Sequence, residues 1–267
     1  MSRTTLGLFG CGTLAGIIAD GLVTDLRDRY EVIGVCDIDT DAASRMAQKV
    51  SSRCCAGIDE LLGLKPQMII EAASAQVLRE NAVKILEAGS DLLPLSVGAF
   101  ADTEFFSEVE QAAIRCGRTV NIPSGAIGGF DLMGAGMAAG DLSAEILMEK
   151  PPRALVNSPA FKGTADDTEP MDVFEGTSAE AIKEFPKNVN VAVALGLATL
   201  GPDLTRVRVR SNPALSRNRH TVTLDGRFGS AKIVIEAAPS SNPSSSALAA
   251  YSVLALLKRL ASPVKIG

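Results

Sequence analysis

A chain of 267 residues, 46% apolar and 21% charged, is long enough to bury one large core or two modest ones without disulfide or metal staples. A net charge of −5, no tryptophan and only 4% aromatic residues argue against nucleic acid as a partner, because the chain offers neither a broad basic face nor stacking platforms. No apolar run reaches the roughly 18 residues that a membrane-spanning helix needs, and MSRTTLGLFGCG reads as a first strand and not as a signal peptide. Cys11, Cys36, Cys54, Cys55 and Cys116 are odd in number and lack metal-ligand spacing, so free thiols in a reducing cytoplasm, with no metal, are expected.

The first half alternates strand and helix patterns. Strands are expected over 4–9, 31–36, 67–72, 91–95 and 119–122. Helices are expected over 14–26, from a cap at Asp39 or Thr40 to about 49, over 75–87 with Gly89 as a stop, and over 102–115 closed by Gly117. Such alternation implies parallel βαβ units with right-handed crossovers. The pattern changes at Pro123. A small-residue helix is expected over 128–139 and an apolar one over 190–200. The alternating strands 205–210, 220–224 and 230–237 follow, with Asp225-Gly226 as a tight hairpin signal. They imply an antiparallel or mixed sheet with one solvated face. PSSNPSSS at 239–246 is a loop by composition, and 247–260 is a last amphipathic helix.

The fold class read from this order is α/β: a Rossmann-type doubly wound parallel sheet plus a second, α+β catalytic domain with a mixed or antiparallel sheet. The loop at 239–246 lets the last helix pack back on the first domain. The expected division is therefore 1–122 with 244–267 for the dinucleotide and 123–243 for catalysis and dimerisation.

Gly10-Cys11-Gly12-Thr13-Leu14-Ala15 is G-x-G-x-x-A between a strand and a helix. Gly10 permits the tight turn, Gly12 lets the backbone approach a pyrophosphate, and Ala15 is small enough for close helix packing. The amides around Thr13 and Leu14 open a helix N-terminus that favours phosphate. Asp37, at the end of the second strand, is placed to accept from ribose hydroxyls and to repel a 2′-phosphate, which favours NAD. Asp37 or Asp39 also suits a plain helix cap, and nearby Arg45 leaves NADP use open. The loops of Glu71-Ala72-Ala73-Ser74 and Ser96-Val97-Gly98-Ala99 end strands on the ligand side of such a sheet, so Ala73 and Ser96 are candidate cofactor contacts.

Taken together the residues resemble the L-aspartate dehydrogenase family over nearly the whole chain. The likeness rests on GCGxxA, EAAS at 71–74, SVGAFAD at 96–102, NIPSGAIGGFD at 121–131, FEGTSAEAIKEFPKNVNVAVALGLA at 174–198, NRH at 218–220 and SSNPSSS at 240–246. PSGAIGG and FPKNVNVA are specific to that family, whereas GxGxxA is shared with many dehydrogenases. Phe100 and Phe130 stand where leucine is more usual, a packing change. The resemblance implies oxidation of L-aspartate with NAD or NADP, through iminoaspartate, to oxaloacetate and ammonia, with iminoaspartate available for NAD biosynthesis. It also implies a homodimer, His220 as the catalytic residue, and Ser124, Ala126 and Asn190 as further cofactor contacts.

The chemistry agrees. A base must neutralise the substrate ammonium before hydride leaves Cα, and must assist water afterwards. A histidine near its reference value of about 6.5 suits both steps. His220 is the one histidine in the chain. On the expected strand it shares a face with Val222 and Leu224, so a satisfied core histidine is the competing reading. Lys162 and Lys187 are alternative bases or carboxylate binders, or else solvated surface lysines. Ser124 and Gly125, before a helix, offer backbone donors to a substrate carboxylate. Asn188 is a further substrate candidate, or a cap for the helix that follows. Arg206, Arg208 and Arg210 form a row that reads as a solvated sheet face or a subunit interface. Arg219 should point away from the His220 face. Two other functions remain open at this point: a related dehydrogenase or reductase for another amino or imino acid, and a dinucleotide sensor without turnover.

Overall fold

The computed structural model describes residues 3–185, 189–238 and 246–266. The chain divides into two compact units, Met1–Pro123 with Ala249–Ile266, and Ser124–Leu248.

The first unit runs β1 (Thr4–Phe9), α1 (Thr13–Thr24), β2 (Tyr30–Cys36), α2 (Thr40–Val50), β3 (Arg53–Cys54), α3 (Ile58–Gly63), β4 (Met68–Glu71), α4 (Ala75–Glu87), β5 (Asp91–Pro94) and α5 (Thr103–Cys116). The strands form one parallel sheet in the order β3-β2-β1-β4-β5. Order reverses between β1 and β4, and ligands of such sheets sit beyond the strand ends at that point.

Helix starts follow local chemistry. The Asp39 carboxylate accepts from the Asp41 and Ala42 amides, and the Asp102 carboxylate from those of Glu104 and Phe105. Gly117, at φ +61°, closes α5. β3 and α3 lie in a stretch where the sequence reading assigned no element. The strand expected over 119–122 is corrected to a single bridge, Leu92 to Val120. Two backbone hydrogen bonds join it to β5, and Pro123, without an N–H, cannot continue the ladder.

The second unit holds α6 (Phe130–Ala139), β6 (Ser143–Lys150), β7 (Met171–Thr177), α7 (Ser178–Glu184), α8 (Asn190–Ala198), β8 (Arg206–Ser211), β9 (Asn218–Gly226) and β10 (Gly229–Ala237). Its sheet order is β10-β9-β6-β8-β7. β6 runs parallel to β8 and the other neighbours are antiparallel, so the sheet is mixed. The hairpin is corrected by two residues. Gly226 pairs with Gly229, so the turn is Arg227-Phe228 and not Asp225-Gly226. Asp225 is held in the ladder by Ser143, and Gly229 supplies the positive φ, +109°.

One face of this sheet is apolar. Ala144, Ile146 and Met148 of β6, Val207 and Val209 of β8, and Val222 and Leu224 of β9 pack with Met133 of α6, Ala181 of α7 and Leu195 of α8. Each fully buried aliphatic side chain contributes about 2 kcal/mol. The other face carries Arg208 on Glu145 at 2.9 Å, Arg210 on Asp172 at 2.6 Å and Arg219 on Glu236 at 2.6 Å. Two members of the arginine row, Arg208 and Arg210, are therefore ion-paired on the polar face, and Arg219 points away from His220.

The last helix, α9 (Ala247–Ala261), belongs almost wholly to the first unit. Ala250, Val253 and Leu257 join Ile18 and Leu22, and the Tyr30 hydroxyl donates to the Leu257 carbonyl at 2.8 Å.

Candidate active site

In the first unit the loop after β1 meets the loop after β4. Gly10 has φ +99°, and a Cβ there would lie 2.6 Å from the Ala72 carbonyl carbon and oxygen. No larger residue fits that turn without moving backbone. A Cβ on Gly12 would meet nothing within 4 Å. Thr13 is exposed, Leu14 half-buried and Ala15 buried in the core. The first turn of α1 has no capping side chain and no acidic residue. Its amides thus carry no side-chain cap and sit at a positive dipole end, a fit for a pyrophosphate.

Asp37 is half-buried. Its Oδ2 accepts from the Cys11 amide at 2.6 Å and its Oδ1 from the Asp39 amide at 2.8 Å. Asp39 is the cap of α2, so Asp37 braces the glycine loop and keeps its remaining lone pairs for hydroxyl donors.

Glu71, fully buried at the end of β4, ties the two other loops together. It accepts from the Ala73 amide at 2.8 Å, the Ser96 amide at 3.1 Å and the Ser96 hydroxyl at 2.8 Å. Burial pushes its carboxyl above the usual range, and these donors oppose the rise. Ser96 therefore donates inward, leaving its oxygen lone pairs for a ligand, while Ala73 is exposed. The sequence reading saw the EAAS motif but not this bracing role, which needs the fold to bring residues 71 and 96 together.

In the second unit, Ser124, Gly125 and Ala126 lie on a turn closed by the Ile127 amide on the Ser124 carbonyl at 3.4 Å. Ser124 and Gly125 precede a helix as expected, but its start is corrected from 128 to 130, so they lie on a turn before it and not at its N-terminus. α6 starts at Phe130, because Gly125 at φ +64° and Gly129 at φ +83° leave the helical region first. Asn190 is the first residue of α8 and half-buried. Lys162 is exposed, with Nζ on the Pro159 carbonyl at 3.1 Å, a local contact. Asn188 and Lys187 lie outside the described residues, as do Ser240, Asn242 and Ser244.

His220 is 4% exposed. Its Nδ1 lies 3.4 Å from the Ala126 carbonyl oxygen. A carbonyl only accepts, so this contact selects the Nδ1–H tautomer and leaves the lone pair on Nε2. Nε2 is buried with no hydrogen-bond partner among the described residues. Burial first, and the nearby Lys150 second, pull the imidazole down to about 4. The expected value near 6.5 is thus corrected: the ring stays neutral throughout the physiological range.

Comparison with known proteins agrees with this layout. Residues 131–260 match the family model described as aspartate dehydrogenase, C-terminal, and residues 10–123 match homoserine dehydrogenase, NAD binding domain. L-aspartate dehydrogenase from Methanococcus maripaludis strain C7 is 36% identical over 265 residues, covering 98% of both chains. The enzyme of the same name from Methanocaldococcus jannaschii is 34% identical, again over 98% of each chain. The chain belongs to the L-aspartate dehydrogenase family. A crystal structure of aspartate dehydrogenase from Thermotoga maritima superposes with a TM-score of 0.78 at 26% identity and covers 100% of both chains.

Two residues near His220 escaped the sequence reading. Lys150 ends β6 and is 3% exposed, and burial pulls its ammonium down to about 8. Ser211 ends β8, fully buried, and its hydroxyl has no partner among the described residues. Neither sits in a recognisable motif. The only sequence signal was a strand period in 143–150, which its helix-forming composition masks.

Proposed function

We propose that this chain oxidises L-aspartate with a nicotinamide dinucleotide, through iminoaspartate, to oxaloacetate and ammonia, reversibly. The observation that carries the reading is His220, the chain's one histidine, buried as a neutral base with an unpartnered Nε2. In this reading 1–122 with 244–267 hold the dinucleotide through Gly10, Gly12, Thr13, Leu14, Asp37, Ala73 and Ser96. Residues 123–243 carry catalysis and dimerisation, with Ser124, Ala126 and Asn190 on the cofactor. Ser124, Gly125, Lys162 and Asn188 are the substrate-side candidates. The free cysteines support a cytoplasmic location.

When bound, the dinucleotide supplies the acceptor for the hydride on the substrate Cα. His220 Nε2 takes one proton from the substrate ammonium, so that the nitrogen lone pair assists hydride departure and leaves an iminium. After releasing that proton, the same atom takes a proton from the water attacking the iminium carbon. The protonated ring returns this proton to the amino nitrogen, the C–N bond breaks, ammonia leaves, and the hydroxyl proton passes to Nε2 as the carbonyl of oxaloacetate forms. The Ala126 carbonyl holds the ring in the tautomer that this needs. The neutral ring keeps the Nε2 lone pair available, and its low basicity favours release of the proton once taken.

The test follows nicotinamide absorbance with L-aspartate, D-aspartate, L-glutamate and L-alanine, each with NAD and NADP. The reverse arm uses oxaloacetate with and without ammonium. Turnover selective for L-aspartate with ammonium-dependent reversal is expected. Turnover confined to another amino acid would move the assignment to that substrate.

Asp37 supports a preference for NAD. Asp37→Ala should shift the NAD-to-NADP ratio of kcat/KM toward NADP by about tenfold or more, the worth of hydrogen bonds to a carboxylate. A ratio equal to wild type would remove Asp37 from ribose recognition and leave it the brace of the glycine loop.

A further inference from the structure

The inward face of the second sheet is apolar row by row until its last two rows. In one row Ile235, His220, Met148 and Val209 are neighbours; beyond it Ala237 pairs with Asn218, and Lys150 with Ser211. Lys150 sits two residues past Met148 and Ser211 two past Val209, so both share the face of His220. Lys150 is diagonal to His220, a separation of about 7–8 Å between such positions. All three side chains are at least nine-tenths buried. Two of them, His220 at Nε2 and Ser211 at Oγ, present polar atoms with no partner among the described residues. Buried polar atoms are seldom left bare unless something is meant to meet them.

A buried lysine, an unpartnered hydroxyl and an unpartnered imidazole nitrogen on one face form a set with complementary uses. The ammonium and hydroxyl donate, as an anionic oxygen requires, and the imidazole accepts. The charged residues on adjacent positions of these strands, Glu149, Arg210, Arg219 and Glu236, alternate to the opposite face. Of the helices packed on the inward side, α8 has no charged residue, α6 has only Asp131, which is exposed, and α7 has Glu180 and Lys183, both exposed, and Glu184, half-buried.

We propose that Lys150 and Ser211 form the pocket for a carboxylate of the substrate, placing a dicarboxylic amino acid beside His220. The proposal rests on the reading of His220 as the base for an amino acid and adds the group that selects an acidic one. A substrate carboxylate would give the Ser211 hydroxyl an acceptor on the face that also carries the buried ammonium.

The test measures succinate binding by calorimetry, and steady-state kinetics with L-aspartate, on wild type, Lys150→Met and Ser211→Ala. Succinate keeps both carboxylates and lacks the amine, so its binding does not depend on turnover. Lys150→Met should weaken succinate and raise KM for L-aspartate by about 100-fold, with kcat changed much less. Ser211→Ala removes one oxygen that holds no partner, leaves the fold intact, and should weaken succinate by about tenfold. Dinucleotide affinity and melting temperature serve as controls for folding. If Lys150→Met does not fold, the Ser211→Ala result decides. Succinate affinity within threefold of wild type in every folded variant would overturn the proposal. Wild-type protein that binds succinate through these residues but oxidises no amino acid would instead overturn the proposed function and leave the pocket standing.

Discussion

His220→Ala should lower kcat for L-aspartate by about a thousandfold, within the range that a positioned general base supplies. Dinucleotide affinity should stay within a few-fold, because the amides and carboxylate assigned to the dinucleotide's phosphates and adenosine ribose lie in the first unit. His220→Asn separates a structural from a chemical role. Its side-chain amide can still donate toward the Ala126 carbonyl but carries no titratable lone pair, so it should be as inactive as alanine while melting like wild type. Full activity in either variant would take His220 out of the mechanism.

The same residue predicts a pH dependence of stability. The folded value of about 4 lies below the unfolded value of about 6.5. Between these limits the unfolded chain binds more protons, so stability rises with pH across the window. Above about 6.5 the penalty is absent, and below about 4 it reaches roughly 3 kcal/mol. Wild-type melting temperature should therefore fall between pH 6.5 and 4 more steeply than that of His220→Ala. Parallel curves for the two proteins would contradict a buried, neutral imidazole.

Gly10→Ala and Gly12→Ala should fail in different ways. At Gly10 the added Cβ meets backbone 2.6 Å away and the φ of +99° strains any L side chain. A loss of about 2–4 kcal/mol in stability is expected, read as a lowered melting temperature. At Gly12 the Cβ points into open space at an ordinary φ of −75°. Melting should not change, yet NAD should bind about 10–100-fold more weakly, since the methyl stands where a pyrophosphate must approach the amides. A Gly12→Ala protein with wild-type NAD affinity would show that the loop does not carry the phosphates.

Much of the first unit was legible because its signals are local. Asp39 and Asp102 cap the helices that they precede, Gly117 closes another, and strands of this buried sheet are short apolar runs. The glycine loop and Asp37 were legible for the same reason. β6 was not. SAEILMEK is composed mostly of helix formers, and it becomes a strand only because β8 and β9 pair with it on both sides. With β6 unseen, Lys150 had no face, and a lysine without a face reads as surface.

The sequence alone determined the two-part α/β organisation, the glycine loop between the first strand and helix, the acid after the second strand, and a single histidine on an apolar strand face. Each follows from the order and period of neighbouring residues, and the family resemblance added the reaction. The tertiary structure decided that Glu71 braces two loops, that His220 is neutral with its lone pair on Nε2, and that Lys150 and Ser211 share its face. Those facts depend on strand register and burial, which bring together residues from 25 to 94 positions apart and lower the charge that a side chain will carry.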